Sequence, residues 1–186
     1  MNKKEGGTLK SLKFIKPSFK SIVLAILIPV VIVGIMLSIE VYFDLRSILD
    51  LSLMRTASFY IFNISLMLEY VLAEEIGWRG YLQEKLINDY GELKGVALLG
   101  IVWGLWHVPV IVLTGRNFPN FPLFEAFIWF PISSVAISYF IAYIGCFRYS
   151  IYIAILIHMI ININGYFIGP LSEMNSEWNK LLISLV

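Results

Sequence analysis

Four stretches of this chain run for about twenty residues with almost no charge, and a fifth apolar run ends in carboxylates instead of a loop. Residues 21–39 are broken only by Pro29 and Gly34. Residues 95–113 hold no ionisable group except His107, residues 126–147 hold none, and residues 149–172 hold only His158. A helix needs about 20 mainly apolar residues to cross the hydrocarbon core of a bilayer, so each of these predicts a span. The fifth run, residues 56–68, leads straight into Glu69, Glu74, Glu75 and Arg79. Residues 61–87 contain no proline and only Gly77 and Gly80 as weak breakers. The pattern therefore predicts one long helix over roughly 57–87, with the glutamates buried partway along it. The last apolar piece, 181–186, is too short for a sixth span. The expected fold is all-α: a multi-pass transmembrane helical bundle of about five or six membrane helices, with its site buried between them. Residues 21–186 read as a single helical membrane domain with a protein core at 57–169, preceded by a basic N-terminus, 1–20.

Composition agrees. Of the 186 residues 59% are apolar or aromatic and 15% charged, against about 25% charged in an ordinary soluble domain. Mean hydropathy is +0.79. The net charge of +1 leaves no basic face for nucleic acid, so no nucleic-acid partner is expected. The lone cysteine, Cys146, excludes an internal disulfide and any CxxC site. Lys3, Lys4, Lys10, Lys13, Lys16 and Lys20 precede the first apolar run, which is longer than a signal-peptide core of roughly 7–15 residues. It reads as a retained anchor, with the N-terminus cytoplasmic by the positive-inside rule. Residues 115–122 (GRNFPNFP) read as an exterior turn. The spacings Gly91-x-x-x-Gly95 and Gly100-x-x-x-Gly104 read as close helix packing.

Ionisable residues inside a span cost about 2.5–3.5 kcal/mol each on insertion scales and usually mark function. Here three groups stand out: Glu74-Glu75-Ile-Gly-Trp-Arg79, Trp103-Gly-Leu-Trp-His107 and His158-Met-Ile-Ile-Asn162. His107 lies thirteen residues past Lys94 and His158 ten past Arg148. These depths are about 20 and 15 Å, near the middle of a ~30 Å core, so the two imidazoles can share a level. Glu75 and Arg79 are i, i+4 and predict a matched ion pair. Glu74 is turned about 100° away from Glu75 and can face elsewhere. His158 and Asn162 share a helix face, and Trp103 stands one turn before His107. A carboxylate, two imidazoles and a carboxamide around one wet cavity are the parts of a hydrolytic site, the carboxylate taking a proton from water and the others holding an oxyanion. Each group alone reads as packing or a structural pair; their common depth is what makes a site. Glu40, Glu69 and Glu125 read as lying near helix ends or turns. Glu84, Lys85, Asp89, Glu92 and Lys94 read as a solvated face, and Trp129 and Trp178 as interfacial or packing residues.

The three groups, in this order, resemble the motifs EExxxR, FxxxH and HxxxN of the CAAX prenyl protease and bacteriocin-processing (CPBP, or Abi) family of intramembrane proteases. The departure is Trp103 where phenylalanine is usual. The resemblance implies a helical membrane endopeptidase whose eukaryotic relatives remove three C-terminal residues from prenylated proteins. It implies Glu74 as the base activating water, with His107, His158 and Asn162 completing the catalytic set, and Glu75, Arg79 and Trp103 supporting it. It implies no metal, although zinc stays open with Glu74, His107 and His158 as candidates; HExxH spacing is absent.

The expected activity is glutamate-dependent hydrolysis of a peptide bond in a membrane-associated peptide or protein. The lysine-rich start and the apolar spans look bacterial, which favours a peptide precursor over a prenylated chain. A homo-oligomer is allowed as a further partner. The principal alternative is a non-catalytic bacteriocin immunity or scaffold protein using the same pocket for binding. A bis-histidine haem protein and a proton-coupled transporter are the others, and the transporter is disfavoured by the lack of an internal repeat.

Overall fold

The computed structural model describes residues 14–43, 57–114, 120–144 and 150–168. Among them every regular element is helical. Helix α1 spans Phe19–Tyr42, α2 Ala57–Glu75, α3 Gln83–Tyr90, α4 Glu92–Trp106, α5 Val108–Thr114, α6 Pro122–Phe124, α7 Phe130–Ile144 and α8 Ile151–Ile168. Two π-helical segments, Ile76–Leu82 and Glu125–Trp129, are set into this series.

The predicted long helix is present. Helix α2, the first π segment and α3 follow without interruption from Ala57 to Tyr90. The wider winding of Ile76–Leu82 was not expected, and it falls on the stretch that carries the arginine. The helix stops at Gly91, whose φ of 79° suits glycine because it has no Cβ to clash. The chain then doubles back into α4.

Three described helices are long and apolar enough to cross a membrane: Phe19–Ile39, Glu92–Thr114 and Pro122–Ile144. The other two expected spans are the charged helix beginning with α2 and the shorter apolar stretch Ile151–Ile163 of α8. The fold is an all-α, multi-pass membrane bundle. Its exterior fits that solvent, with Val30, Val31, Ile32, Ile35 and Met36 of α1 all exposed. Pro29 is accommodated inside α1. The expected turn at 115–122 falls mostly outside the described residues. So do the basic N-terminal residues 1–13, Arg46, Arg55, Arg116, Arg148, Cys146, Trp178 and the tail 181–186.

Between apolar helices in lipid the attraction is close packing more than a hydrophobic drive. Helix α4 lies along α7 on one side and α3 on the other, and α8 receives both α1 and α2. Of the four glycines expected to serve packing, Gly95, Gly100 and Gly104 do so, whereas Gly91 has open space where a Cβ would stand and serves the turn instead. A Cβ on Gly100 would stand 2.4 Å from the Val135 Cα, one on Gly104 2.5 Å from the Pro131 Cα, and one on Gly95 2.7 Å from the Ile87 backbone. Ala25, Ile141, Ile144, Ile153, Ala154 and Ile157 form a core joining α1, α7 and α8, and Met67, Val71 and Met159 close α2 on α8.

Candidate active site

Each sequence group reaches the centre from a different helix. Glu74 and Glu75 end α2, and Arg79 lies in the π segment that follows. Trp103 is in the last turns of α4. His107 sits at the break between α4 and α5, where its N–H bonds the Gly104 carbonyl (3.1 Å). Pro109 accounts for that break, since it lacks an N–H and crowds the carbonyl four residues back. His158 and Asn162 come from α8.

The Trp103 indole, 4% exposed, is the hub. Its Nε1–H donates to Glu74 Oε2 at 3.2 Å. The Arg79 guanidinium lies over its ring, 4.2 Å from the centroid. The His107 and His158 rings meet it edge to face, with centroids at 5.9 and 5.2 Å. The two histidines therefore do share a level. Phe130 packs on His107 from the other side, at 4.7 Å.

The two adjacent glutamates have different surroundings. Glu75 is fully buried, and its Oε1 accepts from Arg79 Nη1 at 2.8 Å and from His158 Nδ1 at 2.8 Å. Arg79 Nη2 reaches Ser138 Oγ on α7 at 3.3 Å. The expected i, i+4 pair thus extends into a four-residue network over α2, the π segment, α7 and α8. Glu74 is half-buried and accepts from the Trp103 indole instead of joining this network. His107 Nδ1–H donates to the Trp103 carbonyl at 2.8 Å. Asn162 stands one turn beyond His158, where its Nδ2 donates to the Tyr70 hydroxyl at 3.2 Å. Tyr70 is itself one turn before Glu74.

Two buried polar side chains were not singled out in the sequence. Gln83, one turn after Arg79, is fully buried, and neither atom of its amide makes a hydrogen bond. Glu75 Oε2 and Arg79 Nε are also without a partner. Such atoms cost about 1–3 kcal/mol each when left dry. The repeat 75, 79, 83 at helical spacing was the available signal. Glu125, expected near a turn, lies just inside the helical run that begins at Pro122 and is fully buried there, at the head of the second π segment. That segment packs against α4, α5, α6 and α7. Of the charged residues of α3 and early α4 expected to be solvated, Lys85, Asp89, Glu92 and Lys94 are exposed, whereas Glu84 is half-buried.

Among the described residues no three His, Cys, Asp or Glu side chains converge as a metal-holding group. Both histidines commit Nδ1 within the protein, to a carbonyl and to Glu75.

A helical membrane bundle with a half-buried carboxylate, an ion-paired second carboxylate and two histidines against one indole is the architecture of an intramembrane protease-like protein. Residues 56–164 match the family model of the type II CAAX prenyl endopeptidase, Rce1-like, and the chain belongs to that family, within the CPBP group. A stretch of 97 residues is 37% identical to CAAX prenyl protease 2 of Methanococcus maripaludis. That stretch covers 49% of this chain and 35% of the relative, so the chain spans about a third of the length of the curated protein it matches. No solved structure matches. The matched segment contains every residue of the site and leaves α1 outside it.

Proposed function

We propose that this protein is an intramembrane endopeptidase that cuts a membrane-associated peptide or protein with water activated by Glu74. The observation that carries the reading is the division of labour between adjacent glutamates. Glu75 is saturated on one oxygen by Arg79 and His158, whereas Glu74 meets the Trp103 indole of α4 from a half-buried position. A base that is neither cancelled by an ion pair nor fully solvated is suited to take a proton from water.

In this reading Glu74 and His107 orient the water from two sides. As the water oxygen attacks the scissile carbonyl, one of its protons passes to Glu74, and the carbonyl oxygen becomes the oxyanion. The second N–H of the Asn162 amide serves that oxyanion, with His158, held by Glu75, beside it on the same face of α8. Glu74 then returns the proton to the departing amine. Glu75, Arg79 and Trp103 position these groups. The family description makes a prenylated C-terminal peptide one substrate class to test, with a non-prenylated membrane peptide precursor beside it. The expected setting is a prokaryotic cell membrane with the N-terminus cytoplasmic.

The test is a comparative peptidome of host membranes and medium, wild type against Glu74→Gln expressed at equal level. A precursor that accumulates uncut only with the variant supports the reading and names the substrate. Identical peptidomes, with any biological effect of the protein retained by the variant, overturn it in favour of a binding or immunity role.

A further inference from the structure

The row formed by Glu75, Arg79 and Gln83 carries more polar atoms than the protein itself satisfies. All three side chains are at most 1% exposed and follow one another at four-residue intervals. Two nitrogens, Arg79 Nε with one N–H and Gln83 Nε2 with two, and two acceptor oxygens, Glu75 Oε2 and Gln83 Oε1, have no hydrogen-bond partner among the described residues. Buried polar groups in folded proteins are almost always matched. A set that mixes donors with acceptors is what water, which gives two hydrogen bonds and accepts two, can satisfy.

The row also has a direction. The hairpin at Gly91 sets Ile87 beside Gly95, and Arg79 lies over Trp103, so Gln83 stands level with Leu99, between the α3–α4 turn and the site. Eight residues separate Glu75 from Gln83, at most about 12 Å along the helix, a length that a few hydrogen-bonded waters span. The end near Gln83 approaches the exposed charges Lys85, Asp89, Glu92 and Lys94. The other end is Glu75, next in sequence to Glu74.

We propose that Glu75, Arg79 and Gln83 line an internal water site, a short file that hydrates the bundle interior from the α3–α4 turn and supplies the hydrolytic centre. The supply role rests on the peptidase reading; the hydration does not. Hydrolysis consumes one water per bond cut, and the apolar flank of the bundle cannot deliver it.

Gln83 is the only glutamine of the 186 residues, so side-chain 15N-glutamine labelling gives a single amide signal pair. In the full chain in lipid nanodiscs, that pair is expected to show magnetisation transfer from water. Absence of transfer, with transfer still seen for exposed backbone amides of α3, overturns the proposal. Gln83→Leu gives the second reading. A hydrated row predicts no rise in Tm and a cleavage rate reduced tenfold or more at unchanged KM, with Gln83→Asn recovering part of the rate. A rise in Tm for Gln83→Leu means the amide was dry and overturns the hydration, whereas an unchanged cleavage rate with water transfer present overturns the supply role alone. If the wild type cleaves nothing, the water transfer still decides the hydration, so failure of the peptidase reading is seen separately.

Discussion

At the scale of single residues, the site turns on one nitrogen. Where the family motif usually has phenylalanine, Trp103 adds an indole N–H that reaches Glu74. Trp103→Phe keeps an aromatic face for Arg79 and both histidines but removes that donor. A hydrogen bond to a charged group contributes about 1.5–3 kcal/mol, and at 3.2 Å the lower end applies. The expected result is a roughly tenfold fall in kcat with little change in KM, measured on the substrate that the peptidome identifies. Glu75→Gln acts differently, because it leaves the buried Arg79 guanidinium without its counter-charge. Breaking one side of such a pair costs about 3–5 kcal/mol. A marked fall in Tm in detergent is expected for Glu75→Gln and little change for Glu74→Gln; equal Tm values for the two would contradict the division of labour. The Glu75–Arg79 pair was legible from i, i+4 spacing, and the common depth of the histidines from counting residues inward. The links to Ser138 and Tyr70 were not, since short-range spacing says nothing about which side chain a distant helix presents.

At the scale of elements, the glycines separate into positions that must stay small, as all three on α4 do, and positions that need not. Gly100→Val forces a side chain into the Val135 backbone on α7. Overpacking of this kind costs about 1–3 kcal/mol, so a lower Tm is expected, with part of it already present in Gly100→Ala. Gly77 has nothing within 4 Å of the place where a Cβ would stand, and Gly77→Ala is expected to keep its Tm or raise it slightly. Similar losses at both positions in a thermal-shift comparison would count against the α4–α7 packing described. The uninterrupted helix from Ala57 was readable because no proline stands in its path. Its π winding was not, because seven residues of ordinary composition carry no mark of a changed hydrogen-bond step. The full burial of Glu125 was not legible either, although its place near a helix start was.

At the scale of the whole molecule, two kinds of helix are joined. Helices Phe19–Ile39, Glu92–Thr114 and Pro122–Ile144 suit lipid by themselves. The helix from α2 through α3 does not, because it carries Glu69, Glu74, Glu75 and Arg79 along its middle. Class and membrane setting were therefore plain in the sequence, whereas the arrangement that makes the charged helix tolerable needed the third dimension. The matching of those charges also sets an order of events during synthesis. Glu75 needs His158, which leaves the ribosome 83 residues later, and Arg79 needs Ser138, 59 residues later. Until α7 and α8 arrive, the nascent charged helix has α4 beside it but lacks half of its network. Full matching of its polar groups is therefore expected only when α8, the last described helix, closes over it. The pairings that hold the site thus tie completion of the bundle to the part of the described chain made last.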